Sequence, residues 1–159
     1  MGLPDYFIEF NQCKNQSLAE FSLVLQNCPK KTVGSVQLSE LCSMSDYPNG
    51  LYLFFDESNE LWYVGKATSR SFIERVPAHF DQREDAWFNT LPKKFMAINE
   101  TSGYRAAHAR SLSLRLVLIG IKSKETAVKF EQVLRSFLQP KLNPGKKAKF
   151  TGEELLSSY

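Results

Sequence analysis

The chain has 159 residues, 43% of them apolar and 23% charged, the proportions of one globular domain with a single buried core. Its 20 basic side chains against 17 acidic ones leave a formal net charge of +3, a mild excess that suits a polyanionic partner without demanding one. A membrane span is excluded by length, since the most apolar stretch, Leu114 to Ile121, is interrupted by Arg115 and falls far short of ~20 residues.

Residues 1–45 read as an N-terminal extension packing on the domain. They hold a short helix with Leu18, Phe21, Leu23, Val24 and Leu25, then Pro29 and Gly34, then an apolar patch at Val36, Leu38 and Leu41. Asp5, Glu9 and Asn11 break any apolar run of a signal peptide. Cys13, Cys28 and Cys42 form no C-x-x-C pair and have no paired histidines, so they read as reduced and structural in a soluble, cytoplasmic protein.

Pro48, Asn49 and Gly50 punctuate the approach to two strand-like runs, Leu51–Phe55 and Leu61–Val64, joined through Asp56, Glu57, Ser58 and Asn59 as a β-hairpin. A four-residue loop pairs Phe55 with Glu60 and so sets Tyr52 opposite Tyr63, with Leu51, Leu53 and Phe55 on the other, core face. Taken alone, such a tyrosine pair is a common stabilising contact. Gly65 permits close approach of a chain or ligand to the backbone, and Lys66 offers a cation to a phosphate; a turn glycine and a solvated lysine fit the pattern equally.

From Ser69 to Phe80 the pattern is helical, with Ser69 or Ser71 as cap, Phe72, Ile73 and Val76 apolar, and Pro77 within it. Arg75 and His79, four apart, share a face on which a guanidinium fork and a near-neutral imidazole could grip and protonate a phosphate; taken alone, an exposed pair on a wet face fits the spacing better. Residues 81–112 read as irregular, with aromatics at Trp87, Phe88, Phe95 and Tyr104; His108 there lacks any partner at metal-ligand spacing. Leu114, Leu116 and Leu118 alternate as a third strand, and Ser123 caps a helix running to about Leu138 that Pro140 ends. That helix has an apolar stripe at Ala127, Phe130, Leu134, Phe137 and Leu138, with Glu131 on its flank and Glu125, Lys129 and Arg135 further round. Glu131 is a hard-oxygen ligand of the kind Mg²⁺ takes, or else a boundary carboxylate; Asn143 by itself reads as a turn residue. Gly65-Lys66 is no phosphate-binding loop of a nucleotide triphosphatase, because Glu60 and Ala67 stand where a glycine and a hydroxyl residue are needed.

In order and spacing these pieces resemble the GIY-YIG nuclease superfamily. Gly50-Leu51-Tyr52 is similar to its first motif and Tyr63-Val64-Gly65-Lys66 to its second; Arg75 and His79 resemble its arginine followed four residues later by tyrosine or histidine. Glu131 and Asn143 resemble its metal-binding glutamate and closing asparagine. The resemblance spans about residues 46–146, with leucine and valine replacing isoleucines, 81–112 as an insertion and 147–159 as a tail. It implies a small α/β (α+β) domain with a three-stranded, mostly antiparallel sheet flanked by helices. It further implies a metal-dependent endonuclease acting on DNA, with RNA left open; the alternative is a non-catalytic nucleic-acid-binding module on the same fold. In family terms Tyr52, Tyr63, Arg75, His79, Glu131 and Asn143 are catalytic, and Gly65, Lys66 and Arg75 bind substrate. Glu131 would hold one Mg²⁺ or Mn²⁺ against the scissile phosphate, and Tyr52 would take the proton of the attacking water.

Overall fold

The structure is a computed structural model that describes residues 2–42, 46–47, 49–98 and 102–159. Pro48 and the expected domain boundary after Ser45 lie outside the described residues.

Among the described residues eleven strands and α-helices follow in chain order: β1 Phe7–Glu9, α1 Leu18–Asn27, β2 Lys31–Thr32, α2 Leu38–Cys42, β3 Gly50–Phe55, β4 Leu61–Ala67, α3 Phe72–Ala78, α4 Thr90–Ala97, α5 Tyr104–Leu112, β5 Arg115–Gly120 and α6 Lys124–Leu138. The sheet is mixed and five-stranded, in the order β1-β5-β3-β4. Of its three long strands, β3 is central and pairs antiparallel with both β5 and β4. The expectation of three strands is corrected by the N-terminal region. There β1 runs parallel to the Leu118–Gly120 end of β5, and β2 runs antiparallel to its Arg115–Leu116 end, so two short strands share one edge. Neither carries enough alternating residues to be read as a strand from sequence, because backbone pairing to β5 is what forms them.

Both faces of the sheet are covered, so every residue of β3 is buried and the run Leu51–Phe55 is continuously apolar or aromatic. One face carries Leu51, Leu53, Phe55, Val64, Val117 and Ile119 beneath α1, α6 and the C-terminal Leu156. Tyr52, Phe54, Tyr63, Leu116 and Leu118 on the other lie beneath Phe72 and Val76 of α3, Leu91 and Phe95 of α4 and Ala107 of α5. The single core face expected for Leu51, Leu53 and Phe55 is thus one of two.

Caps and turns set the element ends. Ser17 and Glu20 form a reciprocal capping box on α1, the Ser123 hydroxyl accepts from Thr126 N at the start of α6, and Gln139 in the left-handed region ends α6 ahead of Pro140. The stretch 81–112 is not irregular but holds α4 and α5. In α4, Pro92 lies in the first turn, where a missing N–H costs nothing. In α5, Ala107 fills the buried position that a bulky side chain would have advertised. Cys13, Cys28 and Cys42 are free thiols, and no helix among the described residues is long and apolar enough to cross a membrane.

Candidate active site

The β3–β4 hairpin positions the first two site residues, in a register two residues away from the expected one. Asp56 N donates to Glu60 O (2.9 Å) and Asn59 N to Asp56 O (3.1 Å), with Asn59 at φ 64°. The loop proper is therefore Glu57, Ser58 and Asn59, with an asparagine in the left-handed conformation it tolerates. Asp56 holds it: its Oδ1 accepts from Ser58 N and Glu60 N, and its Oδ2 accepts from Trp62 Nε1. A bulge between the Phe55–Leu61 and Phe54–Tyr63 pairs adds the second one-residue offset. Tyr52 consequently pairs with Gly65, and Tyr63 with Phe54. Two offsets of one residue restore the original facing, so the tyrosines still share a face as diagonal neighbours, with stacked rings 6.4 Å apart.

Gly65 serves Tyr52. A Cβ at position 65 would lie 2.2 Å from Cε2 and Cζ of that ring, so the close approach expected over this glycine is made by a side chain of the protein's own hairpin. The Tyr52 side chain is fully buried, and its hydroxyl is 2.7 Å from Nε2 of His79. His79 is the C-cap of α3; its N–H bonds to Val76 O (3.2 Å) and Phe80 N to Pro77 O (3.0 Å), so the helix ends in a tightened turn after Pro77. The imidazole is also fully buried, boxed by the rings of Phe54, Tyr63, Phe80 and Phe88, and its Nδ1 has no hydrogen-bond partner among the described residues. Burial, helped by the positive charge of Arg75, lowers its pKa from 6.5 to about 3, so the ring is neutral at physiological pH. Burial likewise raises the pKa of Tyr52, well above the usual phenol, and to a lesser degree that of Tyr63; Arg75 pulls both back.

Arg75 projects from α3 with its guanidinium 3.9 Å from the centre of the Phe88 ring, a cation–π contact that fixes the fork without consuming its donors. Sequence reasoning did not single out Phe88 as a partner. The second such residue is Arg135. Four positions after Glu131 on α6, its Nη1 lies 3.0 Å from Glu131 Oε1, and its Nε donates to Asn143 O at 2.8 Å. The i,i+4 spacing was a readable signal for that pair. Glu131 is buried, and its Oε2 faces Lys66 Nζ at 3.9 Å. The charge of Glu131 is felt by both tyrosines.

The Asn143 side chain is taken up by the backbone of β4. Its Oδ1 accepts from Val64 N (3.1 Å) and its Nδ2 donates to Val64 O (2.6 Å), one amide acting as the next strand. With Leu142 N bonded to Trp62 O it closes the outer edge of β4. Beside this edge Lys66, Thr68, Ser69, Arg70, Arg75 and Trp87 line a cleft of about 210 Å³. The structure therefore gathers Tyr52, Tyr63, Arg75, His79, Glu131 and Lys66 around one end of β4, and gives Gly65 and Asn143 supporting positions.

A divalent cation implied by the residue pattern can be tested against this donor set. Among the described residues no group of three or more His, Cys, Asp and Glu side chains converges. One carboxylate suffices for a hard cation that completes its shell with water and phosphate oxygens. Glu131 meets that need on one side only: Oε1 is held by Arg135, while Oε2 is at ion-pair distance from Lys66, longer than a hydrogen bond. The residues fit a cation bound through Oε2. No protein-family model matches the chain, and no curated protein or solved structure matches it either.

Proposed function

We propose that the protein is a divalent-metal-dependent endonuclease of the GIY-YIG type, acting in the cytoplasm and hydrolysing phosphodiester bonds in DNA. The observation that carries this reading is the convergence of two phenols, a neutral imidazole, a buried carboxylate and two cations from β3, β4, α3 and α6 beside an open cationic cleft. Arg75 and Lys66 would hold the non-bridging oxygens of the scissile phosphate, Arg75 through its planar fork and Lys66 as a point charge. Glu131 would hold Mg²⁺ or Mn²⁺ through Oε2, and that cation, when bound, supplies positive charge to the phosphate and to the departing 3′ oxygen.

Burial argues for moving the base away from Tyr52. With no exposed surface, its ring over Gly65 and its hydroxyl on His79, Tyr52 cannot meet a water from the cleft. Tyr63 is 9% exposed; burial and the charge of Glu131 hold its pKa above the usual phenol, and the charges of Arg75 and Arg135 act against them. In this reading Tyr63, as the phenolate that Arg75, Arg135 and a bound cation would stabilise, takes the proton of the attacking water and becomes the neutral phenol, and the Tyr52–His79 pair fixes the ring stacked on Tyr52.

The test is cleavage of supercoiled plasmid, branched DNA and RNA with Mg²⁺ and with chelator. Glu131→Gln should abolish metal-dependent cleavage while keeping an amide oxygen for Arg135, with DNA affinity in chelator nearly unchanged. Binding should weaken steeply with salt, as phosphate contacts require, with contributions from Lys66, Arg75 and the Lys146, Lys147 and Lys149 tail. Cleavage by Glu131→Gln at the wild-type rate would refute the mechanism. A second reading is favoured by one observation: Arg135 and Lys66 already neutralise Glu131, as suits a non-catalytic nucleic-acid-binding module. Binding without cleavage by the wild type, in every metal and substrate combination, would select it.

A further inference from the structure

Trp87 is 82% exposed, the largest such fraction among the exposed large apolar side chains of the described residues. A single exposed aromatic is ordinary in itself, so what matters is how this one is held and what stands beside it. It sits in a folded turn and not on a loose loop. Ala86 N donates to Arg83 O and Thr90 N to Phe88 O, while the buried Asn89 sends Nδ2 to Arg83 O (2.8 Å) and to the Tyr104 hydroxyl (2.7 Å). The neighbouring Phe88 is locked between Arg75, at 3.9 Å over its ring, and His79, 5.5 Å away edge-on. Trp87 leans on Phe88 with ring centres 5.3 Å apart, and the Arg70 guanidinium lies 5.8 Å from the indole. The Trp87 side chain forms one wall of the cleft whose other walls include Lys66, Arg70 and Arg75.

A rigid, outward indole on the rim of a cleft with three cations is the combination that binds unstacked nucleotides. The cations track phosphates, and the aromatic face takes a base whatever its identity. A base inside an intact duplex is stacked on both sides and offers no face to Trp87. We infer that Trp87 stacks on an unpaired nucleobase next to the phosphate held by Lys66 and Arg75, so that the substrate is nucleic acid with a bulged, flipped or single-stranded nucleotide at the cleavage site. This inference rests on the nuclease reading above and names its substrate class.

The full chain is assayed by fluorescence anisotropy in chelator at low salt with three labelled DNA probes: a fully paired duplex, the same duplex with one bulged adenine, and the same bulge made abasic. The wild type should bind the bulged adenine about tenfold more tightly than the abasic bulge, at the lower end of what stacking of one base on an aromatic side chain supplies. Trp87→Ala should erase that preference and leave affinity for the paired and abasic probes within about twofold, whereas Trp87→Phe keeps most of it. Binding of the adenine bulge should also quench indole emission, a change lost in Trp87→Phe, because the only other tryptophan, Trp62, is buried. A tenfold preference that survives in Trp87→Ala overturns the inference, as does a wild type that binds all three probes alike. If such a wild type still cuts DNA in a Glu131-dependent way, only the role of Trp87 falls. If it binds no probe and cuts nothing, the nuclease reading falls with it.

Discussion

The two faces of the sheet are equally well covered yet differ in chemistry. Beneath α1 and α6 the layer is hydrocarbon and aromatic, with Phe10, Phe21 and Phe130 in tilted and edge contacts and the carboxylate of Glu131 kept at its border. The layer beneath α3, α4 and α5 contains a neutral histidine with one unpartnered nitrogen and a phenol whose ionisation is suppressed. Burying such groups costs stability unless each is hydrogen-bonded, and Nδ1 of His79 is not. A protein that needed only a fold would fill this position with another phenylalanine. The difference teaches that both faces bury apolar side chains and so contribute folding free energy, while the second also holds polar groups in place at some expense to it.

Four measurements would break or sharpen this contrast, and the largest effect belongs to the hydrocarbon face. Phe130→Ala should destabilise the chain by about 3–5 kcal/mol, read as a lower urea midpoint at unchanged slope, because the cavity opens where nothing polar can fill it. A loss under 1 kcal/mol would mean that the packing around Phe130 collapses into the space it leaves.

Tyr52→Phe removes the hydroxyl on His79 Nε2 and leaves both ring nitrogens unpaired. It should cost about 1–3 kcal/mol, seen as a melting temperature lower by several degrees. Should the variant prove more stable than wild type, the hydrogen bond does not compensate the burial of its two partners.

The third measurement is pH dependence. The folded-state pKa of His79, about 3, lies below its ordinary 6.5, so the unfolded chain binds a proton that the folded one refuses. Stability from this group is complete above pH 6.5 and is lost as pH falls toward 3, by up to about 1.4 kcal/mol per pH unit. Urea unfolding at pH 7 and pH 5.5 should show this loss in the wild type and a smaller one in His79→Gln; equal losses would place the titration elsewhere.

The smallest effect concerns the strand edge. Asn143→Ala deletes the two hydrogen bonds to Val64 and should cost about 1–2 kcal/mol, with faster amide exchange at Val64 and little change elsewhere in β4. Loss of DNA cleavage without loss of stability would instead give Asn143 a direct part in the chemistry.

Most of the long elements were legible in the chain itself. Ser17, Ser123 and Pro140 mark helix ends through side-chain caps and a missing N–H, and the loop Asp56–Asn59 marks the hairpin through turn chemistry confined to a few neighbouring residues. The facing of Tyr52 and Tyr63 was legible too, but only through a wrong register: the left-handed Asn59 and the bulge at Leu61 and Trp62 each moved the ladder by one, and their effects on facing cancelled. Local sequence determined what could be argued from adjacent residues. It was silent on β1 and β2, whose pairing depends on an edge of β5 more than 80 positions away in the chain. It was equally silent on Phe88 beneath Arg75, Asn143 against Val64, and the burial that neutralises His79. Those features are set by distances between remote segments and by the exclusion of water between them, which arise only when the sheet and its two layers come together.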